Sequence, residues 1–399
     1  MPEVDVLIAG AGPAGSSAAY FLARAGLRPL LLDQSRFPRD KVCGDGLTPR
    51  STRMIERLGL REKIEGKYRR ITSVRMISPF GTLAELEMPK ECFGGQGFVV
   101  PRYELDSMLL QNALDAGARL QSGCRVTGVR REDGKIICTA EGGDEYAAKV
   151  LVAADGANSI IRRKLKLDKR TAKHGAWAIR AYYSGVAPDS AGAFEISWDK
   201  QLLPAYGWLF PLEGGRANVG LGIREDYLKE SGRKLPDLFD DFVKLNPRMQ
   251  VELKNATCEG KPRGHYLPFG SYYDPFTADR VIFAGDAAGF IHPLTGEGIE
   301  YALESGEAAA GMILTVHGAG GNYTKKELDP YGKECMRRFG HTMSMGYRMQ
   351  RMFRFPRLVE RSMKLAVENE EIRNQFASVL IGDGRGLPLS LYRKVILGF

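Results

Sequence analysis

The sequence predicts an α/β (α+β) fold with three parts: a nucleotide-binding unit, an antiparallel sheet and a helical C-terminal segment. Three observations support this prediction. A glycine-rich turn joins a short apolar strand to a helix at the start of the chain, and strand-like segments separated by glycine-rich turns fill its middle. The chain ends in a stretch where methionines and arginines recur at helical spacing.

The composition is that of a folded globular chain. Its 399 residues are 44% hydrophobic and 26% charged, which suffices for a sizeable core and two or three structural units. No apolar stretch approaches the roughly 18 residues needed to cross a bilayer, and the N-terminus lacks the pattern of a signal peptide. We therefore expect a cytoplasmic protein.

The cysteines and histidines predict neither a disulfide scaffold nor a metal site. None of the six cysteines belongs to a C-x-x-C pair, and the five histidines are scattered without an H-E-x-x-H motif. We expect reduced thiols at all six cysteines, which are Cys43, Cys92, Cys124, Cys138, Cys258 and Cys335.

The net charge of +9 is concentrated at the C-terminal end. From residue 331 onward there are 13 Lys and Arg against 6 Asp and Glu, whereas the rest of the chain is nearly balanced. A basic tail can bind nucleic acid or an anionic membrane, and composition alone does not choose between them. We expect no nucleic-acid partner because no recognisable binding motif accompanies the charge.

The first 33 residues have the arrangement of a Rossmann-type dinucleotide site. An apolar strand at residues 4–9 leads into G-x-G-x-x-G, a helix follows over residues 16–25, and a second strand covers residues 29–32. Gly10 permits the tight turn, Gly12 lets a pyrophosphate approach the backbone, and Gly15 lets helix and strand pack closely. Asp33 follows the second strand, where its carboxylate can accept hydrogen bonds from a ribose 2′-OH. This motif alone does not separate NAD from FAD.

Two later strands also end in acidic turns. The apolar strand at residues 150–154 ends in Asp155 and Gly156, and the strand at residues 281–284 ends in Gly285 and Asp286. Each aspartate could be an ordinary cap at the end of a strand. Arg102 opens a helical segment, and another helix follows the sequence P-L-T-G-E-G at residues 293–298.

The order G-x-G-x-x-G, D-G and G-D resembles flavoproteins of the p-hydroxybenzoate hydroxylase type, up to about residue 315. The resemblance implies FAD, with its adenosine half at the first glycines and Asp33, its middle at Arg102 and its ribitol at Asp286. It also implies that Gly296 and Gly298 bring a helix N-terminus to the flavin pyrimidine, where its partial positive charge stabilises anionic reduced flavin.

A closer resemblance rests on three segments in order. Three segments are similar to the geranylgeranyl reductase family: F-P-R-D-K-V-C-G-D-G-L-T-P-R at residues 37–50, Y-G-W-L-F-P at residues 206–211, and G-D-A-A-G with P-L-T-G-E-G at residues 285–298. Members of that family saturate isoprenoid double bonds in archaeal lipids, chlorophyll side chains and menaquinone tails. The C-G-D-G-L-T-P-R form looks most like the menaquinone-reducing branch.

These resemblances imply two sets of site residues. The residues expected at the reaction centre are Cys43 and Gly44, beside the flavin, and Tyr206 and Trp208, in the substrate cavity. The residues expected to bind FAD are Gly10, Gly12, Pro13, Ala14, Gly15, Asp33, Gln34, Lys41, Cys43, Gly44, Arg102, Val126, Asp155, Gly156, Gly285, Asp286, Pro293, Gly296, Gly298 and Ile299.

Two of these assignments keep an alternative. Cys43 can be a small buried packing residue instead of a chemical group. Tyr206 and Trp208 alternate along a strand and so share a face, which can line either a cavity or a sheet core.

The predicted domains are discontinuous. Residues 1–68, 99–170 and 270–330 form the FAD-binding domain, including a β-meander at residues 125–140. Residues 69–98 and 171–269 form an antiparallel sheet over the cavity, built from a hairpin at residues 70–88 and strands at residues 177–186, 194–198, 206–211 and 217–223. Residues 331–399 form the helical basic C-terminal segment.

In that last segment, helical spacing relates Met345, Met349, Met352 and Phe353, and it places Arg348, Arg351 and Arg354 on another side, until Pro356 interrupts the run. The pattern is typical of a helix that caps the fold, and the alternative is peripheral contact with the inner face of a membrane that supplies a lipid substrate. Since the chain has one dinucleotide fingerprint and no second, we expect NADPH or a ferredoxin-type donor to act as a transient reductant without its own Rossmann domain.

The sequence-based hypothesis is an FAD-dependent reductase that saturates carbon–carbon double bonds of an isoprenoid chain. A monooxygenase or halogenase of the same fold is one alternative, although halogenases usually show W-x-W-x-I-P where this chain has Tyr206 and ends in Phe210 and Pro211. A non-catalytic binder of lipidated proteins is the other, but the motifs on the ribitol side favour a bound flavin.

Overall fold

The computed structural model describes residues 3–88, 90, 93–168, 171–186, 192–270 and 275–381. Cys92 and residues 382–399 of the predicted C-terminal segment lie outside the described residues. The other cysteines are free thiols.

The strands are numbered in chain order. They are β1 (Glu3–Ala9), β2 (Pro29–Asp33), β3 (Gly46–Leu47), β4 (Arg69–Ile71), β5 (Ser73–Ile77), β6 (Leu83–Glu87), β7 (Gly97–Val99), β8 (Arg119–Ser122), β9 (Val126–Glu132), β10 (Lys135–Ala140), β11 (Glu145–Ala153), β12 (Gly175–Ser184), β13 (Ala193–Ser197), β14 (Tyr206–Leu212), β15 (Arg216–Arg224), β16 (Thr257–Pro268), β17 (Thr277–Ala278) and β18 (Val281–Phe283).

The helices are numbered in the same way. They are α1 (Pro13–Arg24), α2 (Pro49–Arg57), α3 (Arg61–Ile64), α4 (Arg102–Asp115), α5 (Ile160–Lys164), α6 (Glu225–Ser231), α7 (Leu235–Leu245), α8 (Pro247–Glu252), α9 (Ile299–Gly318), α10 (Lys325–Cys335), α11 (His341–Met352), α12 (Pro356–Glu368) and α13 (Glu370–Ile381). A π-helical turn, Met336–Gly340, joins α10 to α11.

The first sheet has the order β17-β18-β11-β1-β2-β8, and β9 and β10 attach to β11 as the predicted antiparallel meander. The strands β18, β11, β1, β2 and β8 are parallel. The sequences of β18, β1, β2 and the C-terminal half of β11 are almost entirely apolar and buried, which is typical of strands covered on both faces. The edge strand β8 is polar and mostly exposed. Because the carboxyl ends of parallel strands share one edge, the turns after β1, β11 and β18 meet there, which brings Gly10, Asp155 and Gly285 together.

The second sheet has the order β16-β12-β15-β14-β13-β5-β6. It contains the strands predicted for the middle of the chain, and all its neighbours pair antiparallel except β13 and β5, which are parallel. A long stretch of chain separates those two strands, so no tight turn imposes an antiparallel direction on them. The predicted hairpin begins at Ser73 and not at Arg70, because β4 pairs with β7 in a separate small sheet with β3.

Cross-strand register decides which side chains face the cavity. Tyr206, Trp208 and Phe210 on β14 lie directly opposite Gly222, Gly220 and Asn218 on β15. Directly opposed residues share a face of the sheet. The other face of these strands packs on α7 through Leu209, Leu221, Phe239 and Phe242.

Two of the C-terminal helices, α12 and α13, pack on β6, and α11 contributes Met349 to the same apolar cluster. Met349 and Phe353 are buried, and the Phe353 ring lies edge-on to Trp198 with centroids 5.4 Å apart. Arg348, Arg351 and Arg354 are exposed. This is the amphipathic capping arrangement that the sequence predicts, and the predicted fold class is confirmed. Among the described helices, none is both long and apolar enough to cross a membrane.

Candidate functional site

One cavity of about 780 Å³ lies between the carboxyl edge of the parallel sheet and the β14–β15 face of the second sheet. Most of the residues singled out from the sequence line it. They are Gly10, Gly12, Pro13, Ala14, Asp33, Gln34, Lys41, Cys43, Gly44, Arg102, Val126, Asp155, Gly156, Tyr206, Trp208, Asp286, Gly296, Gly298 and Ile299.

Three residues predicted to bind FAD do not line the cavity. Gly15 lies inside α1, where a Cβ would meet the Gly10 carbonyl oxygen at 1.9 Å. Gly285 packs between α1 and α9 and donates its N–H to Ser305 Oγ at 2.9 Å. Pro293 is buried, and its carbonyl accepts a hydrogen bond from Gln350 Nε2 at 2.6 Å. Each therefore supports the shape of the site from behind its surface.

The nucleotide end of the cavity is formed by the turn between β1 and α1. Gly10 has φ +97°, a conformation that favours glycine, and a Cβ there would meet Ala154 O at 2.2 Å. Gly12 differs, because a Cβ would meet only Arg39 Nη2, at 3.5 Å. The space beside Gly12 is thus open to the cavity. Asp33 accepts hydrogen bonds from Ala11 N at 2.7 Å and Ser35 N at 2.8 Å, which fixes its carboxylate at the rim.

Basic side chains surround this end. Arg39, Arg125, Arg163 and Lys164 line the cavity, and Arg39 also pairs with Asp106 at 2.8 Å. None of these four residues was predicted from the sequence. Arg39 lies in the segment at residues 37–50 and the other three lie outside the motifs, and a single arginine or lysine carries no distinct signal in either place. They place positive charge beside the acidic Asp33, Glu141 and Asp155 of the same lining, where it can pair with phosphate groups.

Lys41, Asp286 and His265 form a charged group deeper in the cavity. Lys41 Nζ lies 3.3 Å from Asp286 Oδ2. Burial alone would raise the pKa of Asp286, but the ammonium group of Lys41 holds it below its usual value. Burial and Lys41 lower the pKa of His265 to about 4, so its imidazole is neutral. His265 Nε2 has no hydrogen-bond partner among the residues that the structure describes.

Arg102 and Asp45 lie behind the Cys43 and Gly44 loop. The Arg102 guanidinium makes a bidentate pair with Asp106, at 2.6 and 2.8 Å. Asp45 is fully buried and accepts hydrogen bonds from Tyr182 Oη at 2.6 Å and Asn218 Nδ2 at 2.8 Å. Burial raises the pKa of Asp45 to about 6 despite these donors.

The loop itself contacts the aromatic wall. A Cβ on Gly44 would lie 3.0 Å from the Phe210 ring and 3.4 Å from Trp208 Nε1, so only a residue without a side chain fits there without displacing the rings. Burial raises the pKa of the Cys43 thiol. The thiol therefore stays protonated at neutral pH, which disfavours thiolate chemistry and favours its packing role.

The far side of the cavity is an aromatic and aliphatic wall. Tyr206, Trp208 and Phe210 follow one another along β14, with ring centroids 6.2 and 6.3 Å apart. Tyr206 Oη donates to the Thr295 carbonyl at 2.8 Å, and Trp208 Nε1 donates to Asn218 Oδ1 at 3.0 Å. The apolar lining is completed by Val74, Phe194, Ile196, Leu267 and Ile291. Tyr206 and Trp208 thus line a cavity and are not a sheet core.

Glu297 lines the cavity between Gly296 and Gly298, just before α9. Its Oε1 accepts the Glu300 N–H at 3.1 Å. Burial and the nearby Glu300 carboxylate raise the pKa of Glu297 to about 8, against the opposing effect of Arg50. Glu297 therefore carries a proton at neutral pH. The sequence held a signal, since Glu297 lies within the quoted P-L-T-G-E-G segment, but its burial was not visible there.

Comparison with known proteins identifies the family and the fold of this chain. A family model described as FAD binding domain matches residues 3–344. The chain is 32% identical to menaquinone reductase from Mycobacterium tuberculosis, over 93% of this chain and 89% of that protein. It is 30% identical to digeranylgeranylglycerophospholipid reductase 2 from Methanosphaera stadtmanae, over 83% of this chain and 82% of that protein. A solved structure, a geranylgeranyl bacteriochlorophyll reductase-like protein from Thermoplasma acidophilum, has a TM-score of 0.83 at 22% identity, covering 99% of this chain and all of that one, so the fold is shared.

Proposed function

Because the chain belongs to the FAD-binding-domain family and, within it, to the geranylgeranyl reductase family, we propose that it is an FAD-dependent oxidoreductase that saturates carbon–carbon double bonds of an isoprenoid chain. The observation that carries the proposal is that one cavity joins a nucleotide-binding turn to an aromatic and aliphatic wall. The two halves are suited to a polar cofactor and an apolar substrate respectively.

The residues at the nucleotide end fit FAD. The open space beside Gly12 admits a pyrophosphate, the Asp33 carboxylate keeps acceptor capacity for ribose hydroxyls, and Arg39 supplies positive charge. His265 Nε2 is a polar atom left without a partner at the cavity wall, which a bound cofactor would satisfy. Asp286, held by Lys41, offers a carboxylate for ribitol hydroxyls.

The other half of the site suits a long apolar chain. Phe194 and Ile196 on β13 and Val74 on β5 extend the wall beyond Trp208 and carry no polar group. The support for an isoprenoid comes from this lining together with the names of the relatives. Between a menaquinone side chain and a geranylgeranyl lipid, we favour the menaquinone side chain because menaquinone reductase is the relative matched over the larger share of both chains.

Bound FAD, once reduced, supplies hydride to one carbon of the alkene. The protein must deliver a proton to the other carbon no later than the hydride arrives, so that no carbanion forms, and it must exclude water. Glu297 is suited to the first task, because it lines the cavity and keeps its proton up to a pH of about 8. The aromatic wall is suited to the second, since it orients the alkene in a water-poor space. NADPH or a ferredoxin-type protein would restore the reduced cofactor.

The test is anaerobic incubation of the dithionite-reduced protein, reconstituted with FAD, with menaquinone or a geranylgeranyl lipid. Mass spectrometry should show the lipid with two added hydrogens for each bond reduced, and free reduced FAD without protein is the control. A lipid that stays unsaturated under these conditions, yet gains oxygen or halogen in air with NADPH, would overturn the reductase in favour of an oxygen-using enzyme.

A further inference from the structure

We propose that Asn218 is a positioning residue that fixes the Trp208 indole and the Cys43 and Gly44 loop relative to each other, and that it thereby selects which double bond of the chain reacts. The proposal rests on the function proposed above. Asn218 does not line the cavity and is fully buried, so it acts through the residues that it holds.

Three hydrogen bonds use the whole Asn218 amide. Its Oδ1 accepts from Trp208 Nε1 at 3.0 Å, and its Nδ2 donates to Cys43 O at 2.7 Å and to Asp45 Oδ2 at 2.8 Å. An indole N–H can only donate, whereas a carbonyl and a carboxylate can only accept. The amide therefore has one orientation that satisfies all three partners.

Asp45 anchors this arrangement from behind. It is fully buried, and Tyr182 Oη donates to the same carboxylate oxygen, Oδ2, at 2.6 Å. Its other oxygen accepts the Arg102 N–H at 3.3 Å. Asn218 is thus tied to a rigid base between β12, β15 and the start of α4.

Glycines hold the indole on its other sides. A Cβ on Gly220, directly opposite Trp208, would lie 2.1 Å from the indole Cζ2, and a Cβ on Gly44 would lie 3.4 Å from Nε1. The ring therefore lies against the backbone at both positions. Once these contacts are made, the bond to Asn218 leaves the indole no other orientation with a satisfied N–H.

This rigidity matters because the alkenes of an isoprenoid chain are chemically alike. Only the depth of the chain in the cavity can decide which of them meets the hydride donor. If the Trp208 indole moved, the chain could shift in the cavity and bring a neighbouring alkene to the hydride donor. Asn218 prevents that movement of the indole.

The experiment compares the FAD-loaded wild type with Asn218→Ala, Trp208→Phe and the double variant on a prenyl substrate with several double bonds. Trp208→Phe keeps an aromatic ring but removes the N–H. We expect each single variant to retain FAD, to lose about ten- to a hundred-fold in kcat, and to spread reduction over more than one double bond. We expect the double variant to be no worse than either, because both changes remove one interaction.

The matched control is Asn246→Ala, which removes a buried amide that caps α8 in the same half of the molecule. It should lower stability but leave FAD content and product distribution unchanged. If Asn218→Ala does not fold, Trp208→Phe alone must still spread the products. Unchanged products in Trp208→Phe, or losses that multiply in the double variant, would overturn the proposal.

A second readout does not require turnover. Tryptophan fluorescence is measured with and without FAD in the wild type, Trp208→Phe, Asn218→Ala and the double variant. The emission lost when Trp208 is replaced by Phe is the emission of Trp208 itself, and its decrease on FAD binding measures its quenching by FAD. We expect the quenching to differ between the two backgrounds. An inactive wild type with this difference would refute the proposed reaction and leave the positioning role intact, whereas identical quenching would refute the positioning role.

Discussion

The turn that begins the chain and the sheet face over the cavity both depend on glycine, but for different reasons. At Gly10 and Gly15 an added Cβ would strike backbone atoms, at 2.2 and 1.9 Å. At Gly220 it would meet a side chain, the Trp208 ring, at 2.1 Å. The two turn glycines therefore constrain the path of the chain, and Gly220 constrains which side chain can lie opposite it.

The largest effect should come from the backbone pair. Gly15→Ala forces a Cβ against the Gly10 carbonyl, which cannot retreat without moving β1, so we expect a loss of about 3 kcal/mol or more in the free energy of unfolding. Gly12→Ala meets only the end of the Arg39 side chain. It should leave the stability of the FAD-free protein unchanged but weaken FAD binding by about ten-fold or more, equivalent to about 1.4 kcal/mol.

Urea unfolding of the FAD-free proteins and flavin titration separate these two outcomes. If both variants lost stability equally, the distinction between a glycine for the fold and a glycine for the ligand would be wrong.

Glu297 lies where the two regions meet, and its removal should have the next largest effect. Glu297→Gln removes the carboxylic acid proton but keeps the size and shape of the side chain. We therefore expect the rate of alkene reduction to fall by about a hundred-fold while the rate of flavin reduction is unaffected. Because the acid form is the active one and its pKa is about 8, the wild-type rate should fall as the pH rises through 8. Glu300, Arg50 and Tyr206 face the same group and are unchanged in the variant.

Single-turnover rates measured from about pH 6 to about pH 10, on both sides of this pKa of about 8, test the prediction. If the Glu297→Gln variant kept both the wild-type rate and the fall in rate at alkaline pH, the proton donor would be another group.

On the sheet face we expect a smaller loss. Gly220→Ala should displace the Trp208 indole, reduce turnover by about ten-fold and leave FAD retention unchanged. Gly222→Ala is the matched control, because its Cβ stands at an ordinary contact distance from Tyr206. Turnover and flavin absorbance are measured for both variants. Equal losses of turnover in the two would show that the close approach of Gly220 to Trp208 has no special role.

The smallest effect should come from outside both regions. Arg348, Arg351 and Arg354 are exposed, so changing all three to Gln should leave FAD content and turnover of detergent-dispersed substrate unchanged. If the C-terminal helices contact a membrane, binding to anionic vesicles should weaken several-fold at low salt, since the Debye length is only about 10 Å at 0.1 M. Vesicle sedimentation should show no such loss for a control variant with Arg24, Arg28 and Arg119 changed to Gln. Equal binding by all three proteins would contradict membrane contact through Arg348, Arg351 and Arg354.

The same contrast explains how much the sequence could predict. The turn after β1 was predictable because Gly10, Gly12 and Gly15 lie within six residues and are followed by a helix. The strands of the second sheet were predictable from their alternation, but the parallel pairing of β5 with β13 was not, because nothing local fixes it.

Asn218 was not predictable either. Two of its partners, Cys43 and Asp45, lie 175 and 173 residues away in the chain, and only the folded sheet brings them together. Arg39 and Glu297 lay inside quoted motifs, but their roles depend on burial and on neighbouring charges that a sequence does not display.

The 2.1 Å between the Cβ position of Gly220 and the Trp208 ring implies that the width of the cavity is a property of two positions jointly. A smaller residue at 208 opens a space that an alanine at 220 can fill, so a paired exchange can conserve volume where either single change creates a void or a clash. Redesign of the cavity for a different substrate should therefore vary positions 208 and 220 together. A library of variants that changes them separately would miss the paired combinations that fold.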